Sequence, residues 1–315
     1  MQIANPKKRH HYIPVFYLKG FTNSNGAMCV YDKEDVGLFE SSPEGIAFEK
    51  HYFTITTPEG KKDSETAENL MAGLEAEFSK VLNKILTNEP LSDEDKVNFA
   101  WFVASMMTRT PNFRNNIQKS TSEMIQHLTL FMASHKSNFE QMVKRYEQST
   151  GNKIDMPVEE FRQSILDTKR YKIGINPQYA MGMALKQMEH LVGIFFNMKW
   201  AFLKATDDQK FLTGDNPLSY IDPTHDHRSF YGVGLANKKI EVSLPLSKDI
   251  CAFGGWNLDS KLSGKYLQIK KEMVKDLNRR TAMSSKRFIF AHYISESLDG
   301  FVKKYKGSHP VMTTR

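Results

Sequence analysis

Apolar residues recur along this chain in two rhythms. Near both ends they form short runs bounded by turn-forming residues, and through the middle they recur every three or four positions. Short bounded runs fit strands, and the longer spacing fits amphipathic helices. Met28-Cys29-Val30-Tyr31-Asp32, after the turn signal Asn23-Ser24-Asn25-Gly26, reads as a strand. With Phe16 to Phe21 it makes an expected hairpin. His51-Tyr52-Phe53-Thr54-Ile55 reads as a third extended piece.

From about 64 to 198 the pattern is helical. Ser64 is the expected N-cap of a helix carrying Leu70, Leu74, Phe78, Val81, Leu82 and Ile85 at helical spacing. Ser92-Asp93-Glu94-Asp95 opens a second helix, with Val97, Phe99, Phe102, Val103 and Met106 apolar. Thr110-Pro111 breaks it, because proline disfavours helical backbone in the preceding residue. A long amphipathic segment covers about 113 to 146, a shorter helix starts at Pro157, and a strongly apolar one starts at Asn176-Pro177. Strands are expected over 200–205, 210–213, 241–245, 250–253 and 287–291, with one helix over about 268–282. The tail past Gly307 is expected to be loose. The simplest architecture is α+β: a mostly antiparallel sheet built from N- and C-terminal strands, with a helical bundle inserted between them in a single domain over 1–315. It would bring residues near 10 close to residues near 215.

Composition narrows the class. The 315 residues are 40% hydrophobic, and no run approaches the roughly 20 apolar residues that cross a bilayer. Lys7-Lys8-Arg9 is followed by neither an apolar segment nor a cleavage site, so a soluble, cytoplasmic protein with no membrane contact is expected. Cys29 and Cys251, far apart in apolar contexts, read as buried thiols and not as a zinc site or disulfide framework. The net charge is +7, and from Phe230 onward 16 Lys and Arg stand against 7 Asp and Glu. That basic C-terminal portion is compatible with a polyanion such as RNA or DNA.

Several groups could carry chemistry. His10-His11 leads an aromatic run. If that run is extended, its side chains alternate, and His11 shares the inward parity of Ile13 and Val15. Imidazole there is a general acid or base, a metal ligand, or a structural ring bonded to a carbonyl. In Thr213-Gly214-Asp215-Asn216-Pro217 the carboxylate is either functional or closes an Asx turn. Arg109 and Arg114 flank the helix break, where arginine recognises phosphate or carboxylate, or complements the helix dipole. Lys271, Lys275 and Arg279, with Asn278 alongside, form a phosphate-contacting stripe or a solvated face, opposite Ile269, Met273 and Leu277. Asp222 to Arg228 holds metal-ligand types, His225, Asp226 and His227, in what is otherwise a solvated loop. Glu68 and Glu75 share one helix face and either approach the histidines or lie on the surface. No P-loop, GxGxxG, HExxH, GxSxG or zinc-finger spacing is present.

Some of these residues also form a pattern. His10-His11-Tyr12-Ile13-Pro14 with Phe16-Tyr17-Leu18 and Phe21, Arg109-Thr110-Pro111, Thr213-Gly214-Asp215-Asn216-Pro217, Pro245-Leu246-Ser247 and Leu277-Asn278 resemble the motifs of the DUF4238 family, a bacterial domain of unknown function. Two positions depart from it: Val15 stands where the family carries glutamine, and Gly214 where it carries serine. The resemblance runs from about His10 to Ala291 and implies that His10, His11, Arg109 and Asp215 converge. It supplies no reaction.

The residue set leads to an expected phosphodiester hydrolase, nuclease-like and either metal-assisted or histidine-dependent. His11 is the general base or a metal ligand, with His10 beside it also catalytic, Asp215 orients the base or binds magnesium, manganese or zinc, and Arg109 stabilises transition-state charge. Asn216, Asn278, Lys275, Arg279 and Arg114 would contact substrate. The alternatives are a non-enzymatic module that binds nucleic acid or protein, and a group-transfer toxin or effector.

Overall fold

The computed structural model describes residues 9–34, 37–56, 62–63, 65–225 and 233–311. In chain order the elements are β1 (Arg9–His11), α1 (Val15–Leu18), β2 (Met28–Asp32), β3 (Gly37–Ser41), β4 (Phe48–Lys50), β5 (Ile55–Thr56) and β6 (Lys62–Asp63). Helices α2 (Thr66–Leu86), α3 (Asp93–Thr108), α4 (Pro111–Ser134), α5 (Lys136–Thr150), α6 (Val158–Leu166) and α7 (Pro177–Asn197) follow. Then come β7 (Lys199–Lys204), β8 (Thr213–Gly214), β9 (Ser219–Ile221), β10 (Glu241–Pro245), β11 (Ile250–Gly255), β12 (Tyr266–Gln268), α8 (Lys271–Ser284), β13 (Phe288–Ala291) and α9 (Glu296–Lys303). The fold is α+β, with N- and C-terminal strands flanking the central helical region.

The strands divide between two larger sheets. One is β12-β7-β11-β10-β9, all from the C-terminal part, and the other is β3-β2-β13-β8, which mixes both ends of the chain. β12 runs parallel to β7, and the other pairings are antiparallel. β1 pairs with β4, setting His10 opposite Glu49 and His11 opposite Phe48.

Several local expectations are corrected. Residues 15–21 are not a hairpin strand: α1 is followed by a 3-10 turn over Lys19–Phe21. Ile13, Tyr17, Leu18 and Phe21 are all fully buried, and their spacing suits one side of a helical turn better than one face of a strand. His51 to Phe53 form a turn, with His51 at φ 57°, and the strand is Phe48–Lys50 just before it. The segment over 113–146 divides at His135 into α4 and α5. Gln268 belongs to β12, so the last long helix begins at Lys271, and Met273 on it is exposed. The chain past Gly307 is tied down in part, since Ser308 O accepts from Lys33 Nζ and Pro310 O from Asn112 Nδ2. Ser64 and residues 226–228 lie outside the described residues.

Other signals correspond to physical devices. Ser92 caps α3 in a reciprocal capping box with Asp95. Pro111 occupies the first position of α4, where a missing N–H costs nothing. Gly151 ends α5 in the left-handed region at φ 74°.

Contacts divide the chain into two compact units. One comprises residues up to Arg114 together with Met181–Pro310, and the other Asn115–Ala180. The first holds the main core, where Ile13, Leu18, Phe78, Phe102, Phe195, Val242 and Leu244 are fully buried. Each such side chain contributes about 1.5–3 kcal/mol of burial. The second packs Ala133, Phe139 and Val143 against Val158, Phe161 and Ile165. Cys29 and Cys251 are free, buried thiols. Among the described residues no helix is long and apolar enough to cross a membrane.

Candidate functional site

The N-terminal histidines meet the C-terminal end of α3. The strand stops at His11, so it is His10 that points inward, only 3% exposed, while His11 is half-buried. This reverses the parity expected from an extended run through Leu18. The turn after β4 delivers the Phe53 N–H to His10 Nδ1 at 2.9 Å, and the His10 ring stacks on Phe53. With Nδ1 accepting, the ring proton sits on Nε2, which lies 3.3 Å from Glu68 Oε2. Glu68 therefore reaches the histidines.

Its helical partner does the same for the arginine. Arg109, 1% exposed, donates through Nη2 to the His11 carbonyl at 2.6 Å and to Glu75 Oε1 at 2.7 Å. Its guanidinium carbon lies 5.5 Å from the centre of the Phe53 ring. Nε and Nη1 are buried and meet no hydrogen-bond acceptor among the described residues. Arg114, in the first turn of α4, pairs with Glu49 at 3.0 Å and lies 4.5 Å over the Tyr52 ring, with Nε likewise unmatched. Tyr52 Oη, Thr54 Oγ1 and Ser105 Oγ are further buried polar atoms without a partner among the described residues. Each such atom costs about 1–3 kcal/mol when nothing replaces its water. They belong to the Tyr52-Phe53-Thr54 segment and to the face of α3 that carries Arg109, since Ser105 precedes Arg109 by one turn.

His11 faces the same group. Its Nε2 lies 3.2 Å from the Glu44 carbonyl, which can only accept, so Nε2 carries the proton and Nδ1 the lone pair. Burial pulls its pKa below the ordinary 6.5, against the Glu44 carbonyl bond and the Glu75 charge, which raise it. His11 is therefore neutral at neutral pH and able to take up a proton.

Most of the other expected site residues make hydrogen bonds to backbone or ion pairs. Asp215 is buried, and its two oxygens accept from the backbone N–H groups of Lys286, Arg287 and Phe288 at 2.8, 2.8 and 3.1 Å. Burial pushes its carboxyl up, against those three bonds and the Lys33 charge. Asn216 donates to Ser284 O and accepts from Thr110 Oγ1. Asn278 accepts from Leu212 N–H and donates to Lys210 O. On α8, Lys275 is exposed, Lys271 pairs with Asp208 and Arg279 pairs with Asp276. No group of three His, Cys, Asp or Glu among the described residues is placed to hold a metal ion, so His11 and Asp215 do not form part of such a cluster. The structure thus joins His10, His11, Arg109 and Arg114 with Glu49, Glu68 and Glu75, while Asp215, Asn216 and Asn278 are engaged with backbone.

The sequence profile of a family described as protein of unknown function, DUF4238, matches residues 9–293. This chain belongs to the DUF4238 family. No curated protein and no solved structure matches it. The DUF4238 motifs turn out to be tied to one another. Tyr17 Oη meets Thr213 Oγ1 at 2.6 Å and donates to the Pro245 carbonyl at 2.7 Å, linking three of them, and Thr110 joins Asn216. Gly214, where the serine of the motif is absent, leaves room for Ser285: a Cβ there would lie 2.0 Å from Ser285 Oγ. Sequence reasoning passed over Tyr52, Thr54 and Ser105. Only Ser105 had a signal, its four-residue spacing from Arg109.

Proposed function

We propose that this chain hydrolyses phosphodiesters, with Arg109 holding the phosphoryl group and His11 as general base. The observation that carries the reading is the buried guanidinium of Arg109, whose Nε and Nη1 meet no acceptor among the described residues. A dry, permanently charged donor fork is complementary to a tetrahedral oxyanion. Glu75, 29% exposed and held only through Nη2, gives way as the phosphate docks. His11 Nδ1 takes a proton from water, and the hydroxide oxygen bonds to phosphorus. The P–O bond to the leaving alkoxide then breaks, and the imidazolium returns its proton to that oxygen. Arg109 stabilises the charge that gathers on the phosphoryl oxygens. His10, its ring held by Phe53 N–H and Glu68, is a positioning residue that anchors β1 under this group.

The test is cleavage of labelled RNA and DNA, with magnesium, manganese, zinc or EDTA, by wild type, His11→Ala and Arg109→Lys. The lysine keeps the charge and loses the fork, so a rate fall of about 10²–10³ is expected. His11→Ala is expected to lose about 10²–10⁴. In wild type the rate rises with pH until His11 is neutral, at a midpoint below 6.5, then levels off, and His11→Ala removes that acid limb. Full activity in both folded variants, or no cleavage under any condition, contradicts the reading.

A second reading, a nucleic-acid- or protein-binding module, is favoured by one observation: the motif residues Tyr17, Asp215, Asn216 and Asn278 spend their polar atoms within the fold. It predicts salt-sensitive binding without cleavage.

A further inference from the structure

A cavity of the first unit lies away from the arginine site, toward the other end of α3. Phe99 stands ten residues before Arg109, about 15 Å along the helix axis. The cavity, about 580 Å³, is lined by Phe99, Phe196, Trp200, Phe202 and Tyr266, with Lys96 and Lys265 among its polar residues. This size and lining suit a small-molecule site.

The walls are preformed. Phe202 and Tyr266 stack with ring centres 5.0 Å apart, and Phe99 meets Trp200 edge-on at 5.2 Å. The polar tips of both amphipathic rings are already used: Trp200 Nε1 donates to Phe195 O and Tyr266 Oη to Ile85 O. What these rings present to an occupant is therefore apolar surface. Phe196 is 47% exposed, an aromatic side chain left facing solvent.

Charge decides the rest. Lys265 is exposed and makes no ion pair with a described residue. Lys96 pairs with Asp93, whose side chain is 94% exposed, and such a pair yields readily to a better partner. The one acid in the lining, Glu89, already accepts from Thr87 Oγ1.

We propose that this cavity binds a flat aromatic ring carrying one anionic group, the ring between the aromatic walls and the anion on Lys265 and Lys96. A nucleoside monophosphate and an aryl carboxylate share that chemistry.

The test uses a Trp101→Phe, Trp256→Phe background, in which Trp200 is the remaining tryptophan. AMP and indole-3-acetate are titrated separately by fluorescence and calorimetry, with adenosine and indole as uncharged counterparts. One-to-one binding with Trp200 quenching by one of the two anions is expected, and which of them binds identifies the source. The uncharged counterpart and the Lys265→Glu variant should each bind about tenfold more weakly, the worth of one charge-assisted bond. Phe196→Ala, at an exposed position that leaves the fold intact, should weaken binding as well. No quenching by either anion at millimolar concentration overturns the proposal, and so does equal affinity for the charged and uncharged members of each pair.

Discussion

At the residue scale, the separation of roles is sharpest between two acids and a glycine. Asp215, which the sequence marks as a functional acid, clamps three consecutive backbone amides. Asp215→Asn would turn an acceptor-only group into one with an N–H₂ facing those donors. Urea unfolding should show a loss of about 1–3 kcal/mol, with cleavage per folded molecule unchanged. Glu75, which the sequence left open between surface charge and site, contacts the buried Arg109. Gly214→Ser would restore the residue of the motif, yet its Cβ would meet Ser285 Oγ at 2.0 Å and the Phe288 carbonyl at 2.7 Å. That overpacking should cost about 1–3 kcal/mol by the same measurement, and adding Ser285→Gly should return part of it.

Among the elements, legibility followed length. α2 and α3 are long enough for their apolar spacing to name them, and the capping residues of α3 fixed its start. α1 is only four residues, and an aromatic run of that length fits strand and helix equally. A strand continuing through Leu18 would turn His11 inward, but β1 ends at His11 and the buried histidine is His10. The arginines at the α3–α4 break were visible as a pair. Tyr52 and Thr54 were not, since their burial follows from a turn at His51 in a left-handed conformation that no local residue type announces. The tie from α1 to β8 and β10 rests on the Tyr17 hydroxyl. Tyr17→Phe leaves the Pro245 carbonyl and Thr213 hydroxyl short of a partner in a dry core, and calorimetry should show about 1–3 kcal/mol lost.

Across the whole molecule, two charge effects follow. On α8, Lys271 is met by Asp208, Arg279 by Asp276, and Arg280 by Asp276 and Glu241. The proposed reading therefore places the anion at the buried Arg109 and not on the α8 stripe. Acid should weaken the fold early. Burial lowers the pKa of His11, His292 and His309 below 6.5, so as pH falls through 6.5 the unfolded chain takes up protons first and stability drops. Asp215, raised above 3.8, acts in the opposite sense at lower pH. Urea midpoints at about pH 7 and about pH 5 should fall in that order. The proposed site depends most on the Nε and Nη1 donors of Arg109, which meet no acceptor among the described residues, and the side-chain Nε–H resonance of that residue, assigned by its loss in Arg109→Lys, reports on them directly. Titration with inorganic phosphate and then with a dinucleotide should move it downfield to a saturating limit, as Nε–H gains an oxyanion acceptor. A resonance that stays fixed while other sites respond, or that already exchanges with bulk water as an exposed arginine does, would contradict an anion site at Arg109.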